Sequence, residues 1–205
     1  MHRHFKASNQ FASSCFNFLL HQRDDLLVVA GLGAPAWDIT AAGDHPLSFP
    51  LWGAMGGAAM IGLGLAMAQP KRNVLVVTGD GEMLMGLGSL AVIGAHKPAN
   101  LSIVVLDNEH YGETGMQKTV TGLGVNLVGM AKSAGLAQSL LVANKSELEN
   151  LRNEIYKKGK ARTGALFAQV KVGSEKLPLV LPPRDGVYLK NRFRIALLGP
   201  EKALA

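Results

Sequence analysis

Asp80 stands between Gly79 and Gly81, directly after the apolar run Val74-Leu75-Val76-Val77. Residues 82–106 follow, and a second apolar run over 102–106 ends in Asp107-Asn108. Two strands that stop in oxygen-bearing side chains can share one hard cation, because Mg2+ takes a few protein oxygens and leaves its other positions to phosphate and water. The glycines beside the carboxylate let the backbone turn sharply and bring its amides close to an anion. The chemistry these residues point to is a diphosphate held through a divalent ion. Glu82 is the discordant neighbour. A carboxylate beside a diphosphate is repelled, so its side chain is expected to turn away or cap the following helix, leaving only its backbone near the ligand.

The elements that must position these groups follow from periodicity and punctuation. A helix is expected over 8–21, with Phe11, Cys15, Phe18 and Leu19 on one face, then a strand over 26–30. Gly31-Leu32-Gly33-Ala34-Pro35 turns the chain into a loop through Asp44-His45-Pro46, and a helix over 56–68 stops before Pro70. A strand over 74–78, a helix over 83–95 whose amino end meets the diphosphate, and a strand over 101–106 make a β-α-β unit. A short helix over 127–134, a strand over 139–142, a helix begun by Asn144 with Glu147 completing a capping box, and a strand over 166–172 complete the pattern. The expected fold is α/β, a doubly wound, mainly parallel sheet flanked by helices, with ligands at the carboxyl ends of strands. Residues 1–172 form the binding domain, and the prolines of 173–205 indicate an extended tail with room for a short helix over 189–198.

At 205 residues, the chain can bury one sizeable core. Its net charge of +6 and pI near 9.6 come largely from Lys157-Lys158-Gly159-Lys160-Ala161-Arg162 and from Lys171 onward, which read as a solvated face. No aromatic-interleaved basic stripe indicates nucleic acid. The single cysteine, Cys15, excludes an intramolecular disulfide and a self-contained iron-sulfur cluster and fits a cytoplasmic setting. Arg3 and Lys6 precede no small-residue cleavage site, so no signal peptide is expected. Residues 51–68 carry no charge, but their glycines and Pro50 argue for a cofactor loop and a buried helix rather than a membrane span.

The pattern Gly79-Asp80-Gly81 to Asp107-Asn108-Glu109-His110-Tyr111-Gly112 resembles the cofactor motif of thiamine-diphosphate-dependent enzymes. That resemblance implies thiamine diphosphate and Mg2+ as cofactors, with Asp80, Asn108 and the carbonyl of His110 on the metal. It implies cofactor contacts from Gly79, Asp80, Gly81, Glu82, Met83, Asn108, His110, Tyr111 and Gly112. Asp107 replaces the commoner first asparagine of the pair and leaves Asn108 intact. Leu51-Trp52-Gly53-Ala54-Met55-Gly56 is similar to the family's aminopyrimidine loop, which implies that the Gly53 carbonyl accepts from the 4'-amino group and that Met55 wedges between the two rings.

The family's essential glutamate comes from a different domain, for which this chain has no room. Its length, and the stretch over 24–173, resemble the beta subunits of sulfopyruvate decarboxylase and phosphonopyruvate decarboxylase-like proteins. The implied function is the cofactor-binding subunit of a heteromeric 2-oxo acid decarboxylase, with an anionic 3-substituted pyruvate as substrate and a pyrimidine-binding, alpha-type partner that supplies the glutamate. The nearly uncharged helices over 56–68 and 83–95 fit such a partner interface. His110, Glu113 and His45 are the candidates for touching substrate, with Thr114 beside them. A carboligase or oxidoreductase subunit using the same cofactor, and a non-catalytic scaffold subunit, are the alternatives.

Overall fold

The computed structural model describes residues 9–157, 162–174 and 178–204. Phe11's side chain and most of the basic run at 158–161 lie outside them. The strands are β1 (Leu27–Ala30), β2 (Ser48–Pro50), β3 (Val74–Gly79), β4 (Leu101–Asp107), β5 (His110–Tyr111), β6 (Gln117–Lys118), β7 (Gln138–Val142) and β8 (Leu166–Lys171). Six of them form one sheet in the order β2-β1-β3-β4-β8-β7, every pair parallel, while β5 and β6 make a small antiparallel hairpin. The doubly wound sheet expected from the sequence is the observed one.

Parallel strands are buried on both faces, so they read as unbroken apolar runs. Alternate residues then serve two cores. Leu27, Val29, Val74, Val76, Ile103 and Phe167 face helices α3 (Ala58–Ala68), α5 (Ser89–His96) and α6 (Leu127–Ser133). Val28, Leu75, Val77, Val104 and Ala168 face α1 (Asn9–Leu20), α2 (Ala34–Ala41) and α7 (Lys145–Tyr156). Crossovers moving one way across the sheet lay their helices on one face, and those moving back use the other, as a uniform handedness requires.

Several elements differ from the sequence expectation. The helix expected over 83–95 is two: α4 (Asp80–Met85) starts at the aspartate itself, and the chain breaks at Gly86 before α5. A Cβ at Gly86 would stand 2.3 Å from the Gly56 carbonyl oxygen, so only glycine lets α4 pack on the loop before α3. α2 occupies what reads as a loop, with proline in its first turn, and β2 is a three-residue edge strand ending at Pro50. Asn144 caps α7 by accepting from the Glu147 amide, but Glu147 reaches back to the Ala143 amide rather than to that of Asn144. In the C-terminal stretch, α8 (Gly186–Leu198) and α9 (Pro200–Leu204) form, and Phe193 of α8 enters the core beside Phe49.

Two residues of the segments expected to form a solvated basic face are drawn inward instead. Arg162 is buried and donates to the Ala99 carbonyl and the Ser102 hydroxyl, and Lys171 is held in an ion-pair network. Cys15 is buried on the α1 face, where burial pushes its thiol up to about 12. α3 has 11 residues, and among the described residues no helix is long and apolar enough to cross a membrane.

Burial also pushes Asp38 of α2 up to about 6. Because the folded value lies above the unfolded one near 4, the folded state is penalised at neutral pH and unpenalised in acid. Asp38→Asn should therefore stabilise the chain by about 1–2 kcal/mol at pH 8 in denaturant titrations, allowing for partial exposure. The gain should shrink as pH falls through about 6 and be gone below about 4.

Candidate functional site

The strand order reverses between β1 and β3, because the chain moves outward to β2 before returning to the other side of β1. Such a switch opens a crevice at the carboxyl ends of the two strands. β3 passes there directly into Asp80, the first residue of α4, and the register Gly79↔Leu106 brings β4's terminal Asp107 alongside. Both carboxylates are buried, Asp80 at 2% exposure and Asp107 at 0%.

Two buried carboxylates side by side repel one another, and the structure treats them differently. Asp107 accepts from Lys171 Nζ at 2.8 Å, Gln169 Nε2 at 2.5 Å and Thr121 Oγ1 at 2.9 Å. Burial pushes Asp107 up, but these donors outweigh it and hold it below the ordinary carboxylate range. Lys171 reaches this position because β8 lies next to β4 with Asp107 opposite Lys171, and it also pairs with Glu109 at 2.6 Å. Asp80 accepts from the Thr119 hydroxyl and the Gly81 amide and lies 2.9 Å from the Thr121 hydroxyl it shares with Asp107, and no cationic side chain pairs with it among the described residues. Its pKa is raised by burial and by the charge of Asp107, against the pull of the two threonines. An unneutralised buried carboxylate at a crevice is what a divalent ion would compensate. Among the described residues no group of three or more His, Cys, Asp or Glu forms a metal cage, so an ion here would rely on amide, carbonyl and phosphate oxygens as well.

Asn108 follows in a tight turn, its Oδ1 accepting from the His110 amide at 2.9 Å. The His110 ring folds back to within 2.8 Å of the Asn108 carbonyl, so the imidazole is engaged locally. Glu109 holds a left-handed backbone, φ 64°, which swings the chain into the β5–β6 hairpin. The Tyr111 ring then lies on Gly81, where a Cβ would come within 2.2 Å of it. By contrast, Gly53, Gly79 and Gly112 face open space.

Glu82 has turned inward. The residue is 4% exposed, and its carboxylate accepts from the Thr78 hydroxyl at 2.7 Å and occupies the space where any Cβ on Gly31 would have to sit. Burial raises its pKa, and the Thr78 hydroxyl with the amides of Gly56, Ala58 and Leu32 pulls it back. It thus joins the tips of β1 and β3 to the loop that precedes α3. Met83 points into the core, so only its backbone can face the crevice. Met55 is no core residue: it is 38% exposed on the loop that Gly86 packs against. Glu113 lies over Gly33 at the β1 turn, with burial raising its pKa. His45 is not gathered with these groups. It precedes β2, whose Ser48 pairs with Val28, so it sits toward the amino end of the sheet with Nδ1 accepting from the Leu47 amide.

The residues that sequence reasoning passed over are Thr119, Thr121, Gln169 and Lys171. The alternation Thr119-Val120-Thr121 was a usable signal for two hydroxyls on one side, but Lys171 becomes visible only once β8 is placed beside β4.

A family profile described as thiamine pyrophosphate enzyme, C-terminal TPP binding domain, matches residues 33–164. The chain is 37% identical over 175 residues to sulfopyruvate decarboxylase subunit beta of Methanocaldococcus jannaschii, covering 83% of this chain and 88% of that one. It is 35% identical over 181 residues to sulfopyruvate decarboxylase of Methanosarcina acetivorans, covering 87% of this chain and 45% of the relative. Among solved structures, benzoylformate decarboxylase from Polynucleobacter necessarius superposes with a TM-score of 0.64 at 18% identity, over 82% of this chain and 34% of that one.

The Lys171–Asp107 pair can be tested by stability alone. Lys171→Met strands Asp107 as a buried unpaired charge and should cost about 3 kcal/mol in urea unfolding at pH 7. Adding Asp107→Asn should restore more than half of that loss, and a double variant no better than the single one would contradict the pairing.

Proposed function

Since the chain belongs to the thiamine pyrophosphate enzymes and carries their C-terminal cofactor-binding domain, we propose that it is the diphosphate-binding subunit of a two-chain decarboxylase acting on an anionic 3-substituted pyruvate of the sulfopyruvate class. The observation that carries this reading is the buried Asp80 at the switch point, without a cationic partner among the described residues and next to a second carboxylate already neutralised by Lys171.

When bound, thiamine diphosphate supplies a nucleophilic carbon and an electron sink for loss of CO2 from a 2-oxo acid. Asp80, the Asn108 amide oxygen and the His110 carbonyl are the Mg2+ ligands in this reading. Thr119 and Thr121 fix the Asp80 carboxylate in place. Gly79, Gly81 and the first amides of α4 receive the diphosphate. At six residues α4 is short, so its free amides rather than a long helix dipole do this. Glu82 and Met83 contribute backbone only. The open face at Gly53 and the exposed Met55 receive the aminopyrimidine end, with Tyr111 and Gly112 closing the hairpin side. Glu113 and the His110 ring stand at the rim as the substrate-side groups.

The essential carboxylate for proton transfer to the aminopyrimidine belongs to an alpha-type partner. Two features support a partner. The chain matches nearly the whole of a relative named as a subunit but under half of one whose name carries no subunit designation. Met60, Ile61 and Met67 on α3, with Met85 and Val92 nearby, are also exposed apolar side chains on the helices around the crevice. One cysteine, buried, gives this chain no cluster for electron transfer and favours decarboxylation over oxidation.

The purified chain with thiamine diphosphate and Mg2+ should release no CO2 from sulfopyruvate, and adding the complementary subunit should restore release. Turnover by this chain alone would refute the division of labour. Asp80→Ala should abolish calorimetric binding of thiamine diphosphate with Mg2+ in the assembled pair, and unchanged affinity would refute the metal assignment.

A further inference from the structure

The segment after β8 lies beyond the stretch that the family profile matches, yet it returns to the loop assigned to the aminopyrimidine. The Trp52 indole N–H donates to the Pro183 carbonyl at 2.7 Å, across 131 residues of chain. The Arg184 guanidinium stands 5.8 Å from the Trp52 ring centroid, within cation–π range. Farther along, Phe193 of α8 meets Phe49 at 5.5 Å between centroids. Arg192 grips Asp44 with both terminal nitrogens, at 2.6 and 3.0 Å. These attachment points, Asp44, Phe49 and Trp52, all lie on the one stretch that leads into Gly53 and Met55.

That stretch needs external support. β2 has three residues and pairs on one side only, with β1. Immediately after it, Ala54 takes a left-handed backbone, φ 58°, closed by the Gly57 amide on the Ala54 carbonyl at 2.8 Å. A non-glycine residue in that region costs about 1–2 kcal/mol, so the turn persists only if its surroundings hold it. Downstream, the Gly56–Ala58 side is held by Glu82 and by the contact with Gly86. Upstream, Trp52 is 38% exposed, and its hydrogen bond to Pro183 anchors its indole.

We propose that Pro183, Arg184, Arg192 and Phe193 are positioning residues for the cofactor loop, a C-terminal strap that fixes Trp52 and thereby the backbone of Gly53 and Met55. The proposal rests on the assignment of that loop to thiamine diphosphate. Strap docking and cofactor binding are then linked, and linkage is reciprocal: whatever the docked strap adds to cofactor affinity, bound cofactor returns to strap order.

The test uses the full chain with its complementary subunit, titrated calorimetrically with thiamine diphosphate and Mg2+. Trp52→Phe keeps a ring and loses the donor, and should weaken cofactor binding about two- to tenfold, the worth of one hydrogen bond. Asp44→Asn cuts an anchor at a different point and should weaken it about two- to fivefold. Both side chains are substantially exposed, so melting of the cofactor-free variants checks that folding is intact. In the unaltered complex, cofactor should slow amide exchange over 189–198, and in Trp52→Phe this protection should fall. Unchanged affinity in both variants, or exchange in α8 indifferent to cofactor, overturns the strap while leaving the cofactor assignment standing. Failure of the unaltered complex to bind thiamine diphosphate overturns both.

Discussion

Two carboxylates buried side by side are the constraint around which the rest of this chain is arranged. Parallel pairing of β3 and β4 in the register Gly79↔Leu106 forces Asp80 and Asp107 together at the ends of their strands. In a low-dielectric interior such a pair can persist only if each charge is compensated or suppressed. The fold neutralises one internally, by placing β8 so that Lys171 stands opposite Asp107. It leaves the other with hydroxyl and amide donors and, among the described residues, no cationic partner. Thr121 stands between the two, its Oγ1 2.9 Å from each carboxylate with one hydroxyl proton to share. The asymmetry leaves Asp80, among the described residues, as a buried carboxylate beside the crevice with no cation to offset it.

Around that centre, close backbone approaches fix the geometry. Gly86 admits the carbonyl of Gly56, Gly81 admits the Tyr111 ring, and Gly31 admits the Glu82 carboxylate. Each contact joins two segments that are distant in sequence, so the strand ends, the loop before α3 and the β5–β6 hairpin form one packed assembly. A methyl group at any of the three would push the partners apart.

The sequence made the sheet legible because its inner strands are unbroken apolar runs bounded by glycine, proline and polar residues. The metal-type motif was legible because its residues sit next to those runs. What escaped depends on distant parts of the chain. β2 has too few residues to show a period, and Pro35 reads equally as a turn or as the first turn of a helix. The break at Gly86 needs the knowledge that Gly56 packs there. Lys171 and Gln169 reach Asp107 only through the β4–β8 pairing, and Arg162 looks like one more member of a basic run until its buried acceptors are seen. Repulsion from an anion said nothing of Thr78 or Gly31, which receive the Glu82 carboxylate. His45 was drawn toward the site by its place in the sequence before the loop, whereas the strand register sets it toward the opposite end.

Cys15 carries a consequence of a different kind. The sole sulfhydryl of the chain is sealed beneath α1, wholly inaccessible and strongly biased against the thiolate. A thiol-directed dye would therefore leave the native molecule unmarked and register only those excursions in which that flank of the sheet opens. The protein carries its own built-in counter of large-scale breathing, and a cysteine engineered at an exposed position would serve as a spectroscopic tag without a competing background signal.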